Sequence, residues 1–141
     1  MNSRHDNWPR ILEDFIESRR KTTFTWGVND CCIFAANAVR LLTGQDFAAD
    51  LRGTYKTKLG AARVLKKHGG IEGIMARTAL SEQAVEFAQR GDVVQLGEGH
   101  KATLGVCVGS AAAFVNSIGG LVLCPLNLCT RAWRVGRTSN A

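Results

Sequence analysis

Asp30-Cys31-Cys32 is the stretch of this 141-residue sequence in which residue types and spacing best support chemistry. Asp30 suits a helix N-cap, because its side-chain oxygen can accept from the N–H groups of the first turn. After it, Cys31, Phe34, Ala35, Ala38, Leu41 and Leu42 recur at the i, i+3, i+4, i+7 spacing of one helix face. Cys31 is therefore expected at the first helical position. A thiolate there lies at the positive end of the helix dipole and faces unpaired N–H donors, which lower a cysteine pKa and make the sulfur a nucleophile. The competing reading is packing, with Cys31 and Cys32 as small apolar side chains that close a helix end.

A nucleophilic thiol needs a base beside it and a group to orient that base. The chain has three histidines. His100 lies in Gly97-Glu98-Gly99-His100-Lys101, which reads as a hairpin turn whose tip faces solvent. His5, in a polar N-terminus, and His68, beside Gly69 at a helix end, read as exposed. Five cysteines in no regular spacing argue against a disulfide framework and for free thiols in a reducing compartment. Cys124 and Cys129 are five apart, Cys31 and Cys32 are adjacent, and no Cys-x-x-Cys occurs, so neither a metal nor another cofactor is expected. Gly97-x-Gly99-x-x-Ala102 matches a dinucleotide fingerprint loosely, but the residues after it have strand rather than helix character, and Gly119-Gly120 stands where an acidic residue is required.

The elements that must position these residues divide the chain in two. Residues 9–20 share an apolar stripe of Ile11, Leu12, Phe15 and Ile16, with Pro9 suited to the first turn of a helix. Residues 21–25 form an extended lead into Trp26-Gly27, and the cysteine helix ends near Leu42, where Thr43-Gly44 offers a left-handed cap. A loop over 45–58 precedes helices at 59–68 and 71–79, separated by Gly69-Gly70. After the turn at Gln89-Arg90-Gly91-Asp92 the period changes to that of strands, at 93–96, 102–108, 112–115, 120–124 and 132–135. Helices first and an antiparallel meander afterwards is an α+β order in one domain.

Composition agrees with a globular domain, 45% apolar and 21% charged, long enough to bury its own core. The polar N-terminus and the lack of a long apolar run predict neither a secretory signal nor a membrane span. A net charge of +6 suits a docking face toward an acidic protein. The basic residues come only in short groups, Arg19-Arg20-Lys21 and Lys66-Lys67-His68, without the aromatic interleaving of a nucleic-acid binder, so a solvated face is the expectation.

The run Trp26-Gly27-Val28-Asn29-Asp30-Cys31 resembles the nucleophile segment of NlpC-type cysteine peptidases, papain-like enzymes that cut cell-wall peptides. It is similar, more closely, to a family of small phage and prophage tail assembly proteins that carry Trp-Gly-x-x-Asp-Cys. Leu51-Arg52-Gly53-Thr54-Tyr55, Pro125-Leu126 and the strand Ala132-Trp133-Arg134-Val135 also match that family, and Trp26 and Trp133 are expected to close the core around the cysteine helix. The resemblance implies a single NlpC-like domain over 1–141, with an N-terminal helix and lead-in over 1–23, a family-like core over 24–135 and a tail over 136–141.

In the peptidases the base is a histidine some distance after a Gly-Asp turn, here Gly91-Asp92, in a run matched by Thr103-Leu104-Gly105-Val106-Cys107-Val108-Gly109. Thr103 occupies the histidine's place, and a hydroxyl takes no proton near neutral pH. His100 lies three residues earlier, an odd offset that turns its side chain to the opposite face of a continuing strand. The orienting position falls near Val115 or Asn116. The expectation is a structural component of a tail tip or baseplate with an incomplete catalytic set. It would be made in the host cytoplasm, assembled into the virion tail, and partnered by tail-hub and tail-tip proteins. The alternative is an active peptidase or amidase that meets peptidoglycan during phage entry, with Cys31 as nucleophile and His100, or a histidine of a partner chain, as base.

Overall fold

The computed structural model describes residues 3–137. Four helices come first, α1 (Trp8–Arg19), α2 (Cys31–Thr43), α3 (Lys58–Lys67) and α4 (Gly70–Ala76). Six strands come after them, β1 (Ser81–Gln83), β2 (Val93–Leu96), β3 (Thr103–Cys107), β4 (Ala111–Val115), β5 (Leu121–Pro125) and β6 (Arg131–Arg134). They form one antiparallel sheet in the order β1-β6-β2-β3-β4-β5. The α+β order read from the sequence is the observed one, but the strands are not a simple meander: β2 to β5 follow one another, whereas β6 crosses back to lie between β2 and an additional strand, β1. Its three polar residues carry no alternation from which a strand could be read.

Local chemistry sets the ends of α2. Asp30 is extended and its side chain accepts from the Ile33 N–H, and Gly44, at φ 84°, closes the helix by donating its N–H to the Arg40 carbonyl. Between these caps Ile33, Phe34, Ala35, Ala36, Ala38, Val39 and Leu42 are all buried, so α2 is the axis of the core rather than an amphipathic surface helix. It packs against Leu12 and Phe15 of α1, with the Phe15 and Phe34 rings stacked at 5.3 Å, and against Leu104 and Val106 of β3. The other face of the sheet carries a smaller cluster of Val94, Cys107, Ala112, Phe114, Cys129 and Ala132, covered by Val85, Ala88 and Leu126 from short 3-10 turns and their flanks.

One irregularity in the sheet places the site. β3 and β4 pair at Val106↔Ala113 and Cys107↔Ala112 and their pairing ends there, while β4 stays paired with β5 as far as Val115↔Leu121. Continuing the β3–β4 register would set Leu104 opposite Val115 and Thr103 opposite Asn116. The start of β3 thus has backbone groups free to meet the head of α2.

Candidate functional site

The site begins at the turn that delivers α2. Asn29 N–H donates to the Thr25 carbonyl and the Asn29 amide donates to the Thr23 carbonyl, folding 25–29 back on itself. Gly27 stands at φ +82°, and a Cβ there would lie 2.3 Å from the Tyr55 carbonyl oxygen, so the close approach and the backbone conformation both require glycine. Asp30, 2% exposed, then accepts three hydrogen bonds. They come from Ile33 N–H at 3.0 Å, Gly27 N–H at 2.8 Å and the Tyr55 hydroxyl at 2.6 Å. The Leu51 to Tyr55 run is the other half of this brace. Leu51 is in the core, Arg52 forms a two-pronged ion pair with Asp46 at 2.8 and 3.1 Å, and Tyr55 reaches Asp30. The sequence carries no local sign of the Tyr55 contact, because 25 residues separate the partners.

Cys31 takes the first position of α2, as its spacing predicts. The residue is half-buried, and the polar groups that act on its thiol are the Leu104 N–H, the Thr103 hydroxyl and the Cys32 N–H, which favour the ionised sulfur, and the Asp30 carboxylate, which opposes it. Burial is the largest influence, and it pushes the Cys31 thiol up from its ordinary value. The direction is opposite to the one expected of a thiolate at a helix N-terminus. Desolvation outweighs the N–H and hydroxyl donors that favour the ionised sulfur. Cys32, 3% exposed, is pushed up by the same cause, and so is the Tyr55 hydroxyl, by burial and then by its bond to Asp30.

Thr103, at the place where the resemblance calls for histidine, therefore does adjoin the thiol. His100 does not belong to a strand continuing from β3: it is in the 3-10 turn Gly99–Lys101, exposed, against α4 rather than α2. Its exposure was expected, whereas placing it by strand alternation was not valid, because the turn breaks the period. Asn116 lies at the β4–β5 connection, where its side-chain oxygen accepts from the Ile118 N–H. This is a turn-closing role. His68 caps α3, half-buried rather than exposed, with its ring Nδ1 2.9 Å from the Val64 carbonyl. Trp133 is in the core as expected, whereas Trp26 is half-buried and meets Phe24 edge-on at 4.7 Å.

Of four concavities among the described residues, of about 250 to about 710 Å³, one has His100 in its wall, with Leu65 and Ile71, and another has His68, whereas Cys31, Thr103 and Asn116 line none of the four. Among the described residues no group of three or more His, Cys, Asp or Glu side chains is placed to hold a metal ion.

A second polar cluster escaped sequence reasoning entirely. Asp92, fully buried, accepts from Arg4 at 3.0 Å, the Gln83 amide at 2.9 Å, Gln89 N–H at 2.9 Å and Val135 N–H at 3.0 Å. Arg137 also pairs with it. Arg4 further donates to the Val135 and Arg90 carbonyls and lies over the Trp8 ring, and burial lowers its pKa against the pull of Asp92. Both ends of the described chain, expected as lead-in and tail, are tied to the sheet here. The Gly-Asp turn signal was visible, but its cationic partners are 88 and 45 residues away.

A comparison with curated proteins found no match to this chain. Residues 3–135 match the family model described as Domain of unknown function (DUF6950), and the chain, covered almost end to end by that match, belongs to this family.

Proposed function

We propose that this protein is a structural component of a phage or prophage tail tip or baseplate, a tail assembly protein on an NlpC-like papain-type fold with an incomplete catalytic set. The observation that carries it is the pairing at the thiol, where Cys31 meets Thr103 in the place of a histidine. A hydroxyl supplies no base near neutral pH. Support comes also from the upward push on the thiol and from the Gly27–Asp30–Tyr55 brace, which gives the Trp-Gly-x-x-Asp-Cys pattern a role in folding. Neighbouring tail-hub and tail-tip proteins are the partners, reached by assembly in the host cytoplasm. No helix among the described residues is long and apolar enough to cross a membrane.

The test uses tails purified from induced cells. The chain should be found in them, its deletion should stop tail completion, and Cys31→Ala should leave the titre unchanged. Peptidoglycan hydrolysis by the purified protein, abolished by Cys31→Ala, would overturn this function. That outcome belongs to the second reading, a cysteine peptidase or amidase with Cys31 as nucleophile and His100 or a partner chain's histidine as base. What favours it is the Leu104 and Cys32 N–H groups at the sulfur.

A further inference from the structure

The two edges of the sheet are built differently. The β1 edge is three polar residues long, and Glu82 within it faces Arg131 at 3.7 Å. Short, charged edges resist pairing with another chain. The β5 edge, Leu121-Val122-Leu123-Cys124-Pro125, carries no charge, and no strand pairs on its outer side. Of eight large apolar side chains that are exposed among the described residues, four fall within 118–128: Ile118 at 92%, Val122 at 43%, Leu123 at 57% and Leu128 at 59%.

The register tells which backbone groups the edge presents. Asn116 N–H donates to Gly120 and Leu126 N–H to Ser110, so the even-numbered residues of β5 bond to β4. Leu121, Leu123 and Pro125 then turn their backbone groups outward. The outward inventory is two N–H donors, since proline has none, and three carbonyls.

We propose that β5 pairs with β5 of a second copy of this chain, antiparallel about a two-fold axis at Leu123. In that pairing each Leu123 N–H meets the partner copy's Leu123 carbonyl, and each Leu121 N–H meets its Pro125 carbonyl. Both outward donors are satisfied, and the missing proline N–H falls opposite a carbonyl that can remain hydrated. Leu123 is covered by its own counterpart. The charges also favour this direction. Gly120 N–H donates to the Thr22 carbonyl at 3.0 Å, which holds the Arg19-Arg20-Lys21 group at one end of β5. A five-residue strand spans about 16 Å, so antiparallel pairing sets the two basic groups at opposite ends, farther apart than the ~8–10 Å over which salt screens charges. A parallel pairing would bring them together. This interface stands or falls independently of the tail function.

Sedimentation velocity over a concentration series tests it. The expected result is a monomer–dimer equilibrium that Leu123→Lys shifts at least tenfold toward monomer, with the circular dichroism and melting temperature of the parent. Leu123→Cys should give a disulfide-linked dimer on mild oxidation, since hydrogen-bonded cross-strand pairs have Cα atoms about 5.5 Å apart. Ile118→Cys and the parent protein, tested alongside, should not. A chain that is monomeric at its highest workable concentration, or a dimer untouched by Leu123→Lys, overturns the proposal. If the Leu121 and Leu123 amides become protected from exchange only when a different protein is added, the edge belongs to that protein and the second-copy assignment is wrong.

Discussion

Asp30 and Asp92 are both taken out of water, at 2% and 0% exposure, yet they are compensated in different ways. Asp30 accepts from two backbone N–H groups and a tyrosine hydroxyl, all within the turn that starts α2 and the loop beyond that helix. Its compensation is dipolar. Asp92 accepts from two backbone N–H groups and an amide as well, but adds Arg4 and Arg137. Dipoles at a helix start can be supplied by neighbouring residues, whereas this fully buried carboxylate, in the turn that enters β2, draws on cations from both ends of the described chain. The first carboxylate organises a local turn beside the thiol, and the second closes the domain.

The largest way to break this contrast is Asp92→Ala. It leaves two guanidiniums facing a void and should cost about 3–5 kcal/mol, the range for removing one partner of a buried ion pair. Urea denaturation reads the loss. A value near 1 kcal/mol would show that Arg4 and Arg137 find water, and the contrast would fail. Asp30→Ala should cost less, about 2–4 kcal/mol, as a lost N-cap plus a buried tyrosine hydroxyl without its acceptor. Combining it with Tyr55→Phe should restore part of that loss, since the orphaned hydroxyl goes too. Strict additivity of the two changes would mean that the brace is not a unit.

The thiols sharpen the comparison at alkaline pH. Burial raises Cys31, Cys32 and Cys107, and holds Cys129 at about 11, while an unfolded cysteine ionises near 8.5. Folded pKa values above the unfolded one mean that between them the unfolded chain binds fewer protons. The stability is therefore complete below about pH 8.5 and declines as pH rises toward the folded values. Thermal melts from pH 7 to 10.5 should show a falling midpoint, and a flat profile would contradict burial of these thiols. Iodoacetamide labelling of Cys31 should begin at higher pH than that of a free thiol. Thr103→His should shift its onset to lower pH by placing an imidazolium beside the sulfur. The smallest effect belongs to Cys31→Ala, about 1 kcal/mol or less by chemical denaturation, as expected for a small side chain at the edge of a core.

Much of the scaffold was legible because its signals are local. The caps of α2, the apolar stripe of α1 and the turn at Gly91-Asp92 depend on residues within about four positions of one another. β1 was not legible, since three polar residues become a strand only through pairing with β6. Nor was the Tyr55 bond to Asp30, although the Leu51 to Tyr55 run itself stood out.

The sequence by itself determined where the thiol stands: Asp30 and the apolar spacing after it put Cys31 at the head of a helix, because capping and helical periodicity are short-range. Only the tertiary structure decided what kind of thiol it is. The β3–β4 pairing ends beside it, β3 presents Leu104 and Thr103, and packing there leaves the residue half-buried with too little water to favour a thiolate. Desolvation is set by everything that surrounds an atom, and the strand that covers this sulfur lies far from it along the chain.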